Sequence, residues 1–526
     1  MLVLAGSAET TGVTKGAFQE LDAISLLTPH TKLAVRASSL DFIPGAVKNA
    51  YRTCWYGRPG PTFVDLPADI IQGKSSPGYR LPQPETLLVP SPPKAGGDPA
   101  LILKASQLLR TARSPLLVIG KGAAYARAEL GINQLVDQTQ IPFLPTPMGK
   151  GVVPDSHPLN ASSARSAALK HADVVLILGA RLNWILHYGE APKWNPTAKI
   201  IQVDICAEEI GRNAGTAELG ILGDIGLVVD QLLSSLSNWT YSPNPSSTKD
   251  NKDTFTSILT TSANRNELKA QTAALRPTPP NTPLTYQRAY HIIKSTLNTL
   301  SPFEQGKIIY VSEGANTMDI SRSIFPLNHP RQRLDAGTYA TMGVGMGYIV
   351  AAHEAYNALP STTYTKPKKV VAFEGDSAFG FSAMEIETLA RYRIPALIYV
   401  VNNSGIYHGD SVSEDDWRVL QGQTVGNDTK SESGSEKGSG GGTKGLRSTS
   451  LLYETRYEML ATMCGGKGFF VRTEEELERA TREGFESKCV TVVNVIVEPG
   501  IGKEIGFAWQ GKGKGDSSTG GREAKL

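Results

Sequence analysis

Short apolar runs alternate with longer amphipathic stretches along almost the whole chain. Runs rich in Val, Ile and Leu, such as Pro115 to Ile119, Val174 to Leu178 and Val370 to Phe373, lead directly into loops that carry Gly, Asp or Asn. Continuous apolar runs of this length are typical of strands buried in a parallel sheet, and the helical stretches between them are typical of crossover connections. The pattern therefore predicts an α/β protein with parallel sheets.

Breaks in this pattern divide the chain into three blocks. The blocks are residues 1–73, 98–236 and 283–499, separated by a Pro-rich connector and by a polar stretch. A chain of 526 residues should contain about three domains, and the first block is only half a domain in size. Residues 422–449 are dominated by Gly, Ser, Lys and Glu and are predicted to be a disordered insertion, and residues 500–526 a flexible tail.

Composition excludes several classes of protein. The 53 Lys and Arg residues are nearly balanced by 50 Asp and Glu residues, so we expect no nucleic-acid partner. The apolar runs fall short of the roughly 18 residues that a membrane span needs. The four cysteines lack disulfide or metal-ligand spacing and are expected to be reduced and buried.

Candidate chemistry lies at the ends of two predicted strands. The turn Gly375-Asp376-Ser377 follows the strand that starts at Val370, and Asn402-Asn403-Ser404-Gly405 follows the strand Ala396 to Val401. The carboxyl ends of neighbouring strands are where open α/β sheets bind ligands, so the oxygens of Asp376 and Asn403 can converge on a hard cation such as Mg²⁺. A helix predicted to open near Ser382 would add N–H groups to this anionic site. Taken singly, each loop is better explained as a structural Gly-Asp turn or a solvated Asn-Asn loop.

The pair of loops resembles the thiamine diphosphate motif, Gly-Asp-Gly followed by Asn-Asn. The Ser at position 377 is similar to the form found in the family of 2-hydroxyacyl-CoA lyases and oxalyl-CoA decarboxylases. This resemblance implies three doubly wound parallel-sheet domains: a pyrimidine-binding domain, of which residues 1–73 match the C-terminal half, a central Rossmann-like domain and a diphosphate-binding domain. It also implies that Asp376, Asn403 and the carbonyl of Gly405 bind Mg²⁺.

Further segments extend the resemblance across nearly the whole chain. Met342 matches the bulky apolar residue that forces the cofactor into its folded conformation, and Glu313-Gly-Ala-Asn resembles a diphosphate-binding loop. A core methionine is the alternative for Met342. The cofactor contacts that the resemblance implies are Tyr286, Ala315, Asn316, Ala340, Met342, Gly375, Asp376, Ser377, Ala378, Asn403, Gly405 and Ile406.

The resemblance to this family also implies a CoA thioester substrate. Arg322 matches a residue aimed at the CoA phosphates, although a surface arginine on a helix is an equal alternative. Loops of the central block resemble those that hold ADP in the decarboxylases. The residues expected to face such a nucleotide are Arg58, Lys121, Arg181, Asp204 and Asp224. Gln19 and Tyr407 match positions near the active site and are the candidate catalytic residues.

Three functions remain open at this stage. A lyase would split a 2-hydroxyacyl-CoA in fatty acid α-oxidation, and a decarboxylase would release CO₂ from oxalyl-CoA; both pass through the same thiamine-bound carbanion and yield formyl-CoA. The lyase is favoured because the ending Phe507-Ala-Trp-Gln and the segment Gly16-Ala-Phe-Gln-Glu have lyase-like forms. The third alternative is a non-catalytic relative that acts as a subunit or scaffold.

Both ends of the chain contribute expectations. The chain is expected to start inside its first domain, because no Glu lies in the context in which the family activates the aminopyrimidine ring of the cofactor; the chain as written is therefore expected to be inactive. The final residues Ala524, Lys525 and Leu526 resemble the peroxisomal address that an import receptor reads, so a peroxisomal location is expected, with the cytoplasm as the alternative. The resemblance further implies a homodimer or homotetramer.

Overall fold

The structure is a computed structural model that describes residues 1–243, 254–358, 367–411, 413–426 and 445–500. Its strands are β1 (Leu2–Ser7), β2 (Leu33–Arg36), β3 (Thr62–Pro67), β4 (Pro115–Ile119), β5 (Phe143–Pro145), β6 (Val174–Leu178), β7 (Lys199–Asp204), β8 (Gly220–Leu222), β9 (Ile308–Glu313), β10 (Arg333–Asp335), β11 (Lys369–Gly375), β12 (Leu397–Asn402), β13 (Lys467–Val471) and β14 (Thr491–Ile496).

Its α-helices are α1 (Ala23–Leu27), α2 (Ile43–Trp55), α3 (Ala68–Gln72), α4 (Pro84–Leu87), α5 (Pro99–Thr111), α6 (Lys121–Tyr125), α7 (Glu129–Thr139), α8 (Arg165–His171), α9 (Ile225–Ser235), α10 (Phe255–Leu275), α11 (Tyr286–Leu300), α12 (Ala315–Ile324), α13 (Gly345–His353), α14 (Asp376–Gly380), α15 (Glu385–Arg391), α16 (Glu414–Gly426), α17 (Met459–Met463) and α18 (Glu474–Glu486). Within the described ranges, no helix is long and apolar enough to cross a bilayer.

The strands form three sheets whose strand pairs are all parallel. The first sheet has the order β1-β3-β2, the central sheet β5-β4-β6-β7-β8 and the third sheet β10-β9-β11-β12-β14-β13. This arrangement confirms the predicted α/β class with three parallel sheets.

Successive side chains of the central and third sheets pack into cores on opposite faces. In β4, Leu117 and Ile119 belong to one buried cluster, whereas Leu116 and Val118 belong to another. The third sheet divides in the same way, with alternate residues of β11 and β12 in separate clusters. Because neighbouring side chains of a strand point to opposite faces, the sheets are covered on both sides, which explains the continuous apolar runs in the sequence.

Strand order in the third sheet positions the candidate site. After β9 the chain adds β10 on one side, and it then returns to add β11 on the other side of β9. The loops that follow β9 and β11 therefore leave the sheet in opposite directions and open a crevice at their carboxyl ends. Such topological switch points are the usual ligand sites of open α/β sheets.

Two local predictions need correction. The helix expected to open near Ser382 opens at Glu385 as α15, and a separate short helix, α14, begins directly at Asp376. The first N–H groups after β11 therefore belong to the Gly375-Asp376-Ser377 turn itself, because the chain turns into a helix without an intervening loop.

The predicted insertion 422–449 is too wide at both ends. Helix α16 continues to Gly426, and the acidic residues in its first turn stabilise the helix through their interaction with its dipole. The chain is described again from residue 445, where Leu446 N–H donates to Thr424 Oγ1. Residues 427–444 and the tail 501–526, including Ala524, Lys525 and Leu526, lie outside the described residues.

Candidate active site

The oxygens of Asp376 and Asn403 converge on one hydrogen-bond donor. The N–H of Gly405 lies 3.2 Å from Oδ2 of Asp376 and 3.1 Å from Oδ1 of Asn403. Both side chains are buried, and they follow the neighbouring strands β11 and β12. The structure thus brings together the two side chains that the spacing in the sequence paired, with an oxygen of each facing the same point.

The amide of Asn403 is oriented by two acceptors on its nitrogen side. Its Nδ2 donates to the hydroxyl of Tyr286 at 3.1 Å and to the carbonyl of Tyr407 at 2.9 Å. Asn316 Nδ2 donates to the same carbonyl at 3.0 Å. With its nitrogen engaged in this way, Asn403 presents its oxygen to Asp376, and the carbonyl of Tyr407 ties the loop after β12 to the helix after β9.

Asp376 is a buried carboxylate that forms no ion pair among the described residues. Burial raises the pKa of Asp376 to about 7, against the N–H groups of Ser377 and Gly405, which lower it. A bound divalent cation would compensate for this burial and favour the ionised form. One carboxylate oxygen, one amide oxygen and nearby backbone carbonyls form the sparse, hard donor set that suits Mg²⁺ when a diphosphate supplies further oxygens.

Two glycines form a cradle beside this donor set. Gly314 has φ +91°, and a Cβ at Gly314 would lie 3.2 Å from the nitrogen of Gly375, so the two loops touch through their backbones. Helix α12 starts at Ala315 without a side-chain cap at its N-terminus. Its first N–H groups are therefore available to an anion, and the diphosphate of the cofactor fits this place.

Apolar residues lie exposed around the crevice. Met342 is 39% exposed and Ile406 is 37% exposed, and Ala340 has φ +50° at the turn before Met342. Large apolar side chains at this level of exposure are available to pack against a ligand. Ser377 is half-buried and Ala378 is buried in α14, beside Asp376.

The sequence analysis did not identify a buried pair of carboxyl groups next to the loops that begin at Gly314 and Gly375. Glu313 ends β9, and Glu374 lies opposite it in the register of β11. Burial raises the pKa of Glu313 and places that of Glu374 well above its usual value. The available signal was that two buried strands both end in Glu-Gly, directly before Ala315 and Asp376.

A second feature is a cavity of about 870 Å³ between the central sheet unit and the third sheet unit. Its walls include Gly337 and Thr338, which precede Met342 in the chain. All six residues that the sequence assigned to CoA or a nucleotide line this one cavity, namely Arg58, Lys121, Arg181, Asp204, Asp224 and Arg322.

The cavity has a surplus of positive charge. Lys121 and Arg181 form no ion pair with a carboxylate within the described ranges. Burial lowers the pKa of Lys121, and the neighbouring charges of Arg181 and Arg58 lower it further. Cations crowded in this way are stabilised by an anionic ligand.

Three further charged residues of the cavity are engaged in ion pairs or hydrogen bonds with other protein groups. Arg58 pairs with Glu209 at 2.6 Å, and Asp224 caps α9 through the N–H of Gly226 and pairs with Lys94 at 3.3 Å. Asp204 accepts from the N–H of Cys206 at 2.9 Å.

Arg322 lines the cavity, but its charge is offset. It donates to Asp335 at 2.9 Å and to Asp319 at 2.7 Å, while its Nη2 has no hydrogen-bond partner among the described residues. This nitrogen is itself buried, so in this structure Arg322 does not present it to the cavity.

The two candidate catalytic residues lie apart within one chain. Gln19 is exposed in a loop of the first sheet unit, where Glu20 accepts from the N–H groups of Gly16 and Ala17. Tyr407 lies beside the Asp376 site, and its carbonyl is what holds Asn316 and Asn403. The structure places Tyr407 at the site and Gln19 on the surface of another unit.

Comparison with known proteins agrees with this geometry. Residues 102–232 match the family model for the central domain of thiamine pyrophosphate enzymes, and residues 313–495 match that for their C-terminal, cofactor-binding domain. The chain is 39% identical over 503 residues to 2-hydroxyacyl-CoA lyase 1 of Homo sapiens, covering 95% of this chain and 79% of that protein. It is 40% identical to 2-hydroxyacyl-CoA lyase of Saccharomyces cerevisiae (97% and 83% covered) and 35% identical to oxalyl-CoA decarboxylase of Escherichia coli (96% and 80% covered).

Proposed function

Because this chain belongs to the thiamine pyrophosphate enzyme family of 2-hydroxyacyl-CoA lyases and oxalyl-CoA decarboxylases, we propose that it cleaves 2-hydroxyacyl-CoA into formyl-CoA and an aldehyde. The aldehyde would be one carbon shorter than the acyl chain, as in fatty acid α-oxidation. The observation that carries the proposal is the shared N–H of Gly405, which holds oxygens of Asp376 and Asn403 at one point beside a diphosphate-sized cradle.

The proposed metal site consists of Asp376, Asn403 and the carbonyl of Gly405. These groups would hold Mg²⁺ against the cofactor diphosphate, while Gly375, Ser377 and Ala378 line the same turn. Ala315 and Asn316 would contact the diphosphate from the start of α12, and Tyr286 would keep the Asn403 amide in its orientation.

Cofactor rings would lie against the exposed apolar residues of the crevice. Ala340, Met342 and Ile406 would pack on the rings and exclude water from the reacting carbon. Thiamine diphosphate held there would supply a nucleophilic carbon for the thioester carbonyl and an electron sink for the carbon–carbon bond that breaks. Tyr407, half-buried beside Asn316, is the proposed catalytic contact from this chain.

The CoA part of the substrate is assigned to the 870 Å³ cavity. Lys121, Arg181 and Arg58 would bind the phosphates of an adenosine diphosphate group, with Arg322 in the wall of the same cavity. Asp204 and Asp224 would face its sugar. The same chemistry fits free ADP, and competition between ADP and CoA distinguishes one shared pocket from two.

The choice of lyase over decarboxylase rests on the lyase-like forms of the ending Phe507-Ala-Trp-Gln and of the segment Gly16-Ala-Phe-Gln-Glu, and on the peroxisomal address at the end of the chain. The test supplies 2-hydroxyacyl-CoA or oxalyl-CoA to stoichiometric enzyme with thiamine diphosphate and Mg²⁺, and products are identified by mass spectrometry. Formyl-CoA with a shortened aldehyde supports the lyase; CO₂ released faster from oxalyl-CoA would reverse the assignment. No product from either substrate, with the cofactor bound, would support a non-catalytic role.

We further propose that this polypeptide by itself turns over slowly. In the first sheet unit Glu20 binds the backbone of its own loop, and Glu9 is exposed. Neither carboxylate is near Asp376, so the group that activates the aminopyrimidine in this family has no counterpart among the described residues of the unit. Gln19, an amide, cannot replace it as a proton acceptor.

Assembly and location are also proposals. A homodimer or homotetramer would bring the exposed Gln19 loop of one copy toward the crevice of another, and light scattering tests the mass. Ala524, Lys525 and Leu526 would direct the chain to peroxisomes through an import receptor. Removing these three residues from a fluorescent fusion should leave it in the cytoplasm.

A further inference from the structure

Glu313 holds the start of α13 through two backbone hydrogen bonds. Its Oε1 accepts from the N–H of Gly343 and its Oε2 from the N–H of Gly345, and its side chain is fully buried. The residue directly before this pair of donors is Met342. One carboxylate at the end of β9 therefore determines where the backbone lies on the C-terminal side of Met342.

Glu374, near the end of the neighbouring strand β11, is the second carboxyl group beside Gly345. It lies beside Glu313 in the parallel register of β11, it is fully buried, and neither of its carboxyl oxygens has a hydrogen-bond partner among the described residues. Burying a carboxyl group without partners is costly. A buried carboxyl pair that costs stability in this way is expected where its position serves a functional site.

Gly345 fits over both carboxyl groups only because it lacks a side chain. A Cβ at Gly345 would lie 2.2 Å from Oε1 of Glu374 and 2.8 Å from Oε2 of Glu313. The backbone of the Met342 loop is thus in direct contact with the two strands that lead into Gly314 and Gly375. Those two glycines form the cradle assigned above to the diphosphate.

We propose that Glu313 is a positioning residue that sets the position of Met342 against the cofactor rings by binding the N–H groups of Gly343 and Gly345. The inference rests on the proposed function, since it assumes that thiamine diphosphate occupies the crevice. Glu313 does not touch the reacting atoms. It acts through the loop that carries Met342, and it fixes the position of Met342 relative to β9, the strand that leads into Gly314.

The substitution that tests this role is Glu313→Gln. The amide keeps the size of the side chain, but its Nε2 is a donor and would face one of the two N–H groups, so that hydrogen bond is lost. Glu474→Gln is the matched control, because Glu474 bonds Arg288 and Thr278 on the far side of the unit and the change removes an ion pair without touching the loop.

The first readout needs no cofactor. In Glu313→Gln, hydrogen exchange should accelerate about tenfold or more at whichever of the Gly343 and Gly345 amides faces Nε2, the factor that corresponds to one lost hydrogen bond. Glu474→Gln should leave this exchange unchanged while lowering the melting temperature. Unchanged exchange in Glu313→Gln would overturn the proposal.

The second readout reports on Met342 itself. With methyl-labelled methionine, the Met342 methyl signal, assigned with Met342→Leu, should move on addition of thiamine diphosphate and Mg²⁺ because of the cofactor rings. In Glu313→Gln this displacement should change or vanish, while cofactor affinity falls by no more than about tenfold. A wild-type displacement in Glu313→Gln would overturn the positioning role, whereas failure of the unmodified chain to bind the cofactor would overturn the proposed function. If Glu313→Gln does not fold, Glu313→Asp, which is too short to reach both N–H groups, is measured in the same way.

Discussion

The carboxylate of Asp376 and the amide oxygen of Asn403 share one donor, the N–H of Gly405, at 3.2 and 3.1 Å. Asp376 also accepts from the N–H of Ser377 at 2.7 Å, and burial still raises its pKa to about 7 against these N–H groups. The geometry therefore leaves both oxygens facing a point where a cation would add far more stabilisation than the N–H does.

Replacing Asp376 by Ala should abolish the effect of the cofactor on stability. Thiamine diphosphate with Mg²⁺ should raise the melting temperature of the unmodified chain, because a ligand that binds only the folded state stabilises it. The increase should require Mg²⁺ and should be absent in Asp376→Ala, as measured by differential scanning fluorimetry. Asp137→Ala, which removes an exposed carboxylate paired with His157, is the control and should keep the full increase. A full increase in Asp376→Ala would contradict the metal assignment.

Lys121→Ala should weaken binding of ADP or CoA to the cavity. The ammonium group of Lys121 lies among Arg181 and Arg58 without a carboxylate partner in the described chain, so a phosphate would supply its missing counter-charge. The loss of one charged hydrogen bond should lower affinity about tenfold or more by calorimetry. Lys48→Ala removes a surface lysine that binds the carbonyl of Thr86 and should not alter affinity. Equal affinities of all three proteins would place the nucleotide elsewhere.

Stability should depend on the protonation of His187 in mildly acidic solution. Burial, together with the charges of Arg165 and Lys193, lowers the pKa of His187 to about 4. The unfolded chain therefore binds a proton that the folded chain rejects between about pH 6.5 and pH 4, so the contribution to stability is complete above pH 6.5 and is lost as the pH falls through this window. His187→Asn, compatible with the left-handed backbone at φ +49°, should flatten this part of the pH profile of urea unfolding. An unchanged slope in the variant would show that His187 does not titrate there.

Replacing residues 427–444 by a short Gly-Ser link should leave folding intact. The chain on either side is already joined by the hydrogen bond from Leu446 N–H to Thr424 Oγ1, so the link has two nearby ends to connect. The wider deletion of 422–449 is the informative comparison, because it removes the end of α16 and the hydrogen bond from Ile406 N–H to the carbonyl of Thr449. We expect an unchanged melting temperature for the first variant and a lower one for the second. Loss of soluble protein in the first variant would contradict the prediction.

The 526-residue polypeptide should bind cofactor yet form formyl-CoA slowly. Lack of a positioned proton-transfer group typically costs about 10² to 10⁴ in rate. If the missing group is a carboxylate, millimolar acetate or formate should restore part of the turnover, measured by quenched-flow under single-turnover conditions, whereas equal concentrations of chloride should not. Rapid turnover without any added carboxylate would show that another group of the chain performs this step.

Much of the candidate site could be predicted from the sequence because its side chains follow buried strands. The apolar run from Val370 and that from Ala396 both end in polar loops, and parallel neighbours place such loops at one edge of a sheet. Glycine and asparagine spacing then identified Asp376 and Asn403. These features are local, so they can be read without knowing how the sheet units pack.

Contacts between distant segments could not be predicted in the same way. Nothing in the local pattern pairs Glu313 with the N–H groups of Gly343 and Gly345, since that contact depends on where α13 returns to the sheet. The short helix α14 at Asp376 was not predicted, because the strand β11 turns directly into it without a loop. Arg322 was assigned to phosphate without its two carboxylate partners, one of which, Asp335, lies on a separate strand.

Thr338 receives three donors from the central sheet unit. Arg181 and Asn183 donate to its hydroxyl at 3.1 and 3.5 Å, and the indole N–H of Trp184 donates to its carbonyl at 2.9 Å. Thr338 lies four residues before Met342, so the loop that carries Met342 is partly held by the central unit, although Asp376 and Asn403 belong to the third unit. A fragment consisting of the third sheet unit alone would keep Asp376 and Asn403 but would leave this end of the loop without its anchors. The sheet units occupy separate stretches of the sequence, but the Met342 loop of the third unit depends on side chains of the central unit. Exchange of the central unit between relatives must therefore preserve the side chains that hold Thr338.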